Sequence, residues 1–174
     1  MNAAATDVGR EAVALSLDAL RRMSFEELEE LYRAGRRPAS VSDLDGDGEG
    51  AMLAVRRVGE PFASLLRAFG KSSLFPWRGK TFRSRDADRG EGINRIDLGF
   101  TRARWFPFRT RFDASFLDGR PAFVLDYSGP GNPPLIRQIV DELREVAPGL
   151  YLGPAALKVG GRPRPLLFFA VSLR

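Results

Sequence analysis

Hydrophobic and polar residues alternate over short stretches in the later part of the chain, which is typical of β-strands with one buried face. In residues 105–116, Phe106, Phe108 and Phe112 fall on one face, and charged side chains fall on the other. Segments of this kind, most of them bounded by Gly, Pro or Asp, predict seven strands, at residues 50–58, 77–84, 92–98, 105–116, 121–127, 151–159 and 165–173. An Asp118-Gly119 turn joins two of them as a hairpin, so we expect an antiparallel meander.

Apolar residues at helical spacing predict two helices near the N-terminus. The first covers residues 10–22. The second begins after Ser24, which is placed to form a capping box with Glu27, and Gly35 is expected to end it in the left-handed conformation.

Two further segments show the apolar stripe of an amphipathic helix. One covers residues 60–70 and begins with Glu60-Pro61. The other follows Asn132-Pro133-Pro134 and carries apolar side chains from Leu135 to Val146 opposite charged ones. We expect this last helix to plug or flank the sheet, because its single apolar stripe needs a sheet face to pack against.

Together these patterns predict a mainly β (α+β) fold, an antiparallel, partly closed barrel of about seven to eight strands. Helices precede the barrel, and one helix is inserted before the last two strands. We expect a helical extension at residues 1–43 and a barrel domain at residues 44–174, folded as a single unit. A chain of 174 residues has the size of one domain.

The chain contains no cysteine and no histidine. Their absence excludes disulfides, thiolate nucleophiles, Ser-His-Asp relays and metal sites built on thiolate or imidazole. Residues 43–48 resemble the first half of a calcium loop, but Ala54 stands where that loop needs a bidentate Glu. A glycine-rich turn that enters the first strand is the better interpretation, so we expect no metal and no other cofactor.

Charge is distributed unevenly, with a net −5 over residues 1–50 and +10 over the rest. The sequence shows no nucleic-acid-recognition motif, and a basic surface alone supports only non-specific association with nucleic acid. No specific nucleic-acid partner is therefore expected. No apolar run approaches the roughly 20 residues that cross a bilayer, and the N-terminus lacks the features of a secretory signal. We therefore expect a cytoplasmic protein without a transmembrane segment, for which a homo-oligomer is possible.

Several local sequences carry a resemblance to known proteins: 77–82 (Trp-Arg-Gly-Lys-Thr-Phe), 92–95, Asp126-Tyr127 and 148–153. Together with the glycine-rich residues 44–50, they look like an uncharacterised group of bacterial proteins with a lipocalin-like (calycin) β-barrel, over about residues 44–172. The Trp-Arg-Gly-Lys segment is also similar to the Gly-x-Trp-x-Gly domain group. The Gly-x-Trp opening of lipocalins is absent from the first strand, so the resemblance implies a shape and assigns no catalytic residue.

A barrel of about eight strands leaves room for one small ligand, and polar side chains that face inward would form its site. Asp126 interrupts an apolar run and precedes Tyr127. A buried carboxylate there needs a partner, whereas one at the strand end would accept hydrogen bonds from the following loop. Three arginines in strands could clamp a ligand carboxylate, or could lie on an exposed face: Arg95, Arg109 and Arg111.

Aromatic residues could line a pocket mouth, although packing in the core also explains them: Trp77, Trp105, Tyr127 and Tyr151. Lys158 is the single lysine of an apolar strand. It is either a buried amine with a lowered pKa or a side chain that reaches the barrel rim.

These features favour the binding of a small, mostly apolar ligand inside the barrel, such as a lipid or a fatty-acid-like molecule that could carry an anionic head. An isomerase, cyclase or hydrolase acting on such a ligand is the alternative, in which Asp126 works with Tyr127 or Lys158 as an acid-base pair. A third hypothesis is a non-catalytic protein-interaction module that docks through the acidic N-terminal helices.

Overall fold

Eight antiparallel strands form a closed barrel. The computed structural model describes residues 15–56 and 77–173. Its strands are β1 (Gly46–Val55), β2 (Trp77–Ser84), β3 (Arg89–Asp97), β4 (Arg102–Ala114), β5 (Pro121–Asp126), β6 (Ile139–Ala147), β7 (Leu150–Val159) and β8 (Arg162–Ser172). Each strand pairs with the next along the chain, and β8 pairs with β1. The expected mainly β barrel is confirmed, and it is closed rather than partly closed.

All seven predicted strands are present, six of them with shifted ends. The prediction for β2 matches its observed bounds, whereas β1 starts at Gly46 rather than at residue 50. The hairpin expected at Asp118-Gly119 connects β4 to β5, and Gly119 has a φ of 72°, which favours glycine. The predicted meander is therefore confirmed.

The eighth strand replaces a predicted helix. Residues expected to be helical up to Val146 form a short 3₁₀ turn (Ile136–Gln138) and then β6, so the prediction of an inserted helix is wrong. In β6, Asp141 faces the barrel interior and Glu142 faces outward. Both side chains are buried, so β6 has no solvent-facing side of the kind that the helical interpretation required. Pairing with two neighbouring strands then overrides the local helical pattern.

Two helices precede the barrel, α1 (Leu17–Leu20) and α2 (Phe25–Ala34). The predicted capping box is confirmed, because the Ser24 hydroxyl accepts a hydrogen bond from the Glu27 amide and the Glu27 carboxylate accepts one from the Ser24 amide. Gly35 follows α2 in an extended conformation, so the predicted left-handed stop is wrong. Residues 10–14 of the first predicted helix and the predicted helix at 60–70 lie outside the described ranges.

The outer face of β7 and β8 is covered by α1 and α2. Apolar side chains from helices and strands form a second core there: Leu20, Leu28, Tyr32, Leu150, Leu152, Phe168 and Ala170. The ring of Phe25 packs edge-on against Phe168, with ring centres 4.9 Å apart. Within the described residues, no helix has the length and hydropathy to cross a membrane.

Buried polar groups fix α2 to the barrel. The Tyr32 hydroxyl donates to the Glu142 carboxylate at 2.6 Å, and the Ser115 hydroxyl and the Phe116 amide donate to the same carboxylate. Burial raises the pKa of Glu142, although these hydrogen bonds oppose that shift. All three donors come from α2 or from the connection between β4 and β5, and all three bind the Glu142 carboxylate of β6. The cluster therefore stabilises the attachment of α2 to the barrel.

One end of the barrel is filled by a 3₁₀ turn (Val41–Leu44). Val41 and Leu44 pack into the interior core beside Phe82 and Phe123. This is the end at which β1 begins and β2 ends. Any free space in the barrel therefore lies toward the opposite end.

Candidate functional site

A cavity of about 140 Å³ lies inside the barrel. Apolar side chains form most of its wall, among them Met52, Ile136, Ile139, Ala155, Leu167 and Phe169. Five further lining residues carry polar atoms: Trp77, Lys80, Asn94, Tyr127 and Asp141. A few convergent polar groups in an apolar cavity are the usual composition of a ligand site.

A β-bulge brings Trp77 and Lys80 to the same side of β2. The pairing of β2 with β3 shifts register between Trp77 and Gly79, and Gly79 has a φ of 130°. Residues three apart on a regular strand point to opposite faces, so the extra residue of the bulge is what turns both side chains inward. A Cβ at position 79 would also clash with the carbonyl oxygen of Gly48. Glycine is therefore required there on two grounds.

Lys80 on β2 and Asp141 on β6 meet across the barrel. The Lys80 Nζ lies 3.1 Å from Asp141 Oδ2, and the side chains are 3% and 5% exposed. Lys80 Nζ also donates to the Tyr127 hydroxyl at 2.6 Å and to Asn94 Oδ1 at 2.9 Å. A buried charge pair is tolerated when further hydrogen bonds satisfy its remaining groups, which is the case for this ammonium.

The neighbours of this pair are themselves connected. The Tyr127 hydroxyl donates to Asp141 Oδ2 at 3.0 Å, and the Trp77 indole donates to Asn94 Oδ1 at 3.1 Å. The Asn94 amide group donates to the Phe106 carbonyl oxygen at 3.2 Å. These contacts fix the orientation of each side chain, so the polar end of the cavity is preorganised.

Burial shifts the proton affinities of this cluster. It lowers the pKa of Lys80, while the charge and hydrogen bond of Asp141 act in the opposite direction. Burial raises the pKa of Tyr127 well above its ordinary value, and the charge of Asp141 adds to that shift. Four aromatic ring centres lie 4.9 to 5.5 Å from Lys80 Nζ, those of Trp77, Phe108, Tyr127 and Phe169. Such rings favour the ammonium form.

Phe106 lines the cavity with an unusual backbone. Among the described residues it is the one non-glycine residue with a positive φ, 57°. Strand β4 is irregular at this point, because its register with β3 shifts between Gly92 and Asn94. A conformation that costs energy and is held in place by the surrounding structure is often found at a binding site.

The structure brings two of the aromatic candidates to the cavity, Trp77 and Tyr127. Tyr151 lies instead in the interior core, and its hydroxyl donates to the Asp43 carbonyl oxygen at 3.3 Å. Trp105 is 44% exposed and is not among the described lining residues.

The three candidate arginines lie on the outer face of the barrel. Arg109 and Arg111 alternate with the inward-facing Phe108, and Arg111 pairs with Asp113 and Asp126. Arg95 donates to the Gly48 carbonyl oxygen. None of the three lines the cavity, so they do not form an interior clamp for a carboxylate.

Asp126 and Tyr127 point to opposite faces. The side chain of Asp126 is on the outside, where its Oδ1 accepts from the Ser128 amide. Partial burial opposes the shift, but the hydrogen bonds of Ser128 and the charges of Lys158 and Arg111 together lower the pKa of Asp126. Lys158 lies near Asp126 on that outer face and is half-buried. The proposed acid-base partners therefore do not converge on one ligand.

Sequence reasoning missed three members of the interior cluster, Lys80, Asn94 and Asp141. Lys80 and Phe82 are two residues apart and therefore share one face of β2. Because Phe82 is apolar, this spacing indicates that the Lys80 amine points inward. Asp141 falls on the polar face of the helix predicted after Asn132-Pro133-Pro134, and that segment forms β6 instead. Within the described ranges, no group of three or more acidic residues is arranged to hold a metal ion.

No family model matches the chain, and no curated protein matches it. Among solved structures, a crystal structure of a protein from Thermomonospora curvata is similar, with a TM-score of 0.53 and 22% sequence identity. The likeness covers 86% of this chain and 87% of that one. At this identity it concerns the fold alone, and it supports the barrel architecture.

Proposed function

We propose that this protein binds a small, mostly apolar molecule inside its barrel, in the manner of lipocalin-like proteins. The observation that carries the proposal is the cavity itself, an apolar space with the Lys80–Asp141 pair in its wall. Burying two opposite charges in a protein interior is costly and is rarely the best way to stabilise a core. Their position beside a cavity gives that cost a function, because they can orient a ligand.

The volume of the cavity limits the ligand. An engineered cavity of about 150 Å³ in another protein holds one benzene molecule, and the cavity here measures about 140 Å³. A compact molecule of roughly benzene size fits this space, whereas a long fatty-acid chain would have to extend beyond it. We therefore favour a compact apolar ligand over the long-chain lipid that the sequence also allowed.

Binding is favoured over catalysis by the placement of the candidate residues. Asp126 and Lys158 lie outside the barrel, and Tyr127 lies inside it. In the interior, Tyr127 is held between Lys80 and Asp141 by two hydrogen bonds. This arrangement suits the orientation of a ligand. It does not suit acid-base catalysis, because the Tyr127 hydroxyl is already hydrogen-bonded to Lys80 and Asp141.

Native mass spectrometry and thermal unfolding with toluene and phenol test this proposal. We expect one molecule to bind per chain and the unfolding temperature to rise with ligand concentration, since only the folded state binds. Ala155→Leu fills the cavity and should abolish both effects, while Arg109→Gln on the outer face should leave them unchanged. Binding that survives Ala155→Leu, or no binding by the unaltered chain, would refute an interior site.

A further inference from the structure

One oxygen of Asp141 lacks a hydrogen-bond partner. Oδ1 is buried, and no described residue donates to it, whereas Oδ2 accepts from both Lys80 and Tyr127. The residue is 4% exposed and lines the cavity. A buried carboxylate oxygen without a donor is costly, and the cavity is where a donor can be supplied.

The hydrogen-bond donors of the cluster are already used. Lys80 has three N–H groups, which point to Asn94, Tyr127 and Asp141. The Tyr127 hydroxyl has one hydrogen, and it is donated to Asp141. The Trp77 indole N–H is donated to Asn94 Oδ1, and the Asn94 amide group donates to the Phe106 carbonyl oxygen and to the Tyr127 hydroxyl. These cavity-lining groups therefore offer a ligand one acceptor and no free donor.

Charge leads to the same conclusion. Lys80 and Asp141 neutralise each other inside the barrel. An anionic ligand would place a second negative charge next to Asp141 and find no free N–H group. A cationic ligand would satisfy Oδ1 but would leave one uncompensated positive charge in a small apolar space, which is also costly.

We propose that the ligand carries a neutral hydrogen-bond donor, such as a hydroxyl group, which donates to Asp141 Oδ1. This inference rests on the proposed function and specifies the chemistry of the ligand's polar end. It replaces the anionic head expected from the sequence. The occupant is a compact, uncharged alcohol or phenol whose apolar body contacts the apolar part of the cavity wall, which includes Met52, Ile139 and Phe169.

A matched set of probes tests the inference with the unaltered chain. Phenol and toluene have the same number of heavy atoms and differ in the donor, while benzoate adds a negative charge. We expect phenol to bind about tenfold more tightly than toluene, since a hydrogen bond to a charged acceptor outweighs the loss of phenol hydration by roughly that factor. Benzoate should show no binding at concentrations that saturate the site with phenol.

The triple variant Lys80→Met/Tyr127→Phe/Asp141→Leu removes the acceptor together with the Tyr127 hydroxyl, which would otherwise lose both of its charged partners and become free to bond phenol. In this variant we expect toluene to bind as before and the preference for phenol to disappear. Equal affinities of phenol and toluene for the unaltered chain, or binding of benzoate, would overturn the inference and leave the proposed function intact. Failure of every probe to bind the unaltered chain would refute the proposed function itself, and the inference with it.

Discussion

Lys80 and Asp141 come from opposite sides of the barrel, 61 positions apart in the sequence, and lie 3.1 Å apart in its interior. The pair places two charges in the core and gives the cavity its polarity. Removing one partner leaves the other charge buried without compensation, whereas removing both leaves no charge in the cavity wall. The two partners therefore contribute to stability only as a pair.

The double substitution of this pair should cost less stability than either single substitution. We expect Lys80→Met or Asp141→Leu alone to lower the free energy of unfolding by about 3–5 kcal/mol, and the double variant to lower it by only about 1–3 kcal/mol, because the Tyr127 hydroxyl then lacks both partners. Urea denaturation of the four proteins measures these differences. Additive losses in the double variant would show that the two side chains are not coupled.

Two tyrosines of the barrel interior provide a matched comparison. Tyr127→Phe removes a hydroxyl that bonds both Lys80 and Asp141, so we expect a loss of about 1–3 kcal/mol in the free energy of unfolding. Tyr151→Phe removes one longer hydrogen bond to the Asp43 carbonyl oxygen and should cost about 1 kcal/mol or less. Chemical denaturation of both variants checks the order, and a larger loss for Tyr151→Phe would contradict the importance of the cluster.

The hairpin residue Asp118 makes stability depend on pH. Its bidentate hydrogen bonds with Arg144, at 2.7 and 2.8 Å, lower the pKa of Asp118 to about 2. An unfolded Asp has a pKa of about 3.9, so the folded state binds fewer protons between these values. The stabilisation is present above about pH 4 and is lost as the pH falls toward about 2.

The variant Asp118→Asn should lack this part of the pH dependence. It should also be less stable at neutral pH, because the buried Arg144 loses its charged partner. Urea midpoints measured from pH 5 to pH 2 test both expectations. Asp88→Asn, which changes an exposed carboxyl, serves as the control. A profile of Asp118→Asn that parallels the unaltered protein would contradict the assignment.

The N-terminal helices should be required for stability of the barrel. Deletion of residues 1–40 would expose the outer face of β7 and β8 and uncover the buried Glu142. We expect the shortened chain to unfold at a much lower urea concentration or to aggregate.

A point substitution tests the same interface more gently. Leu28→Ala should cost about 2–5 kcal/mol, and Glu30→Ala on the exposed side of α2 should cost under about 0.5 kcal/mol. An unchanged unfolding midpoint for the deletion would instead support the division at residue 43 into a helical extension and an independent barrel.

The sequence predicts the barrel well where strands obey simple alternation. Phe108 and Phe112 share a face in 105–116, and both pack in or against the interior core. The same alternation could have placed Asp126 and Tyr127 on opposite faces. It also leaves Arg109 and Arg111 outside, which was one of the two interpretations that the sequence left open.

The sequence offers Trp77 and Tyr127 of the interior cluster as candidates, and Lys80, Asn94 and Asp141 are the members it misses. Two physical effects hide how these side chains come together. Regular alternation puts Trp77 and Lys80 on opposite faces, and only the bulge at Gly79 reunites them. Asp141 lies in a segment whose spacing fits a helix, and pairing with β5 and β7 overrides that local pattern. Both effects depend on contacts between distant residues, which local patterns do not contain.

Lysine-selective NMR tests the central claim most directly, because the chain has three lysines, Lys71, Lys80 and Lys158. The signals can be assigned with Lys71→Arg and Lys158→Arg variants. During titration with phenol, the account predicts that the Lys80 signal moves and saturates while the Lys158 signal, from the outer face, stays in place. A Lys80 signal that does not move while phenol binds, or that moves together with Lys158, would contradict a ligand site inside the barrel.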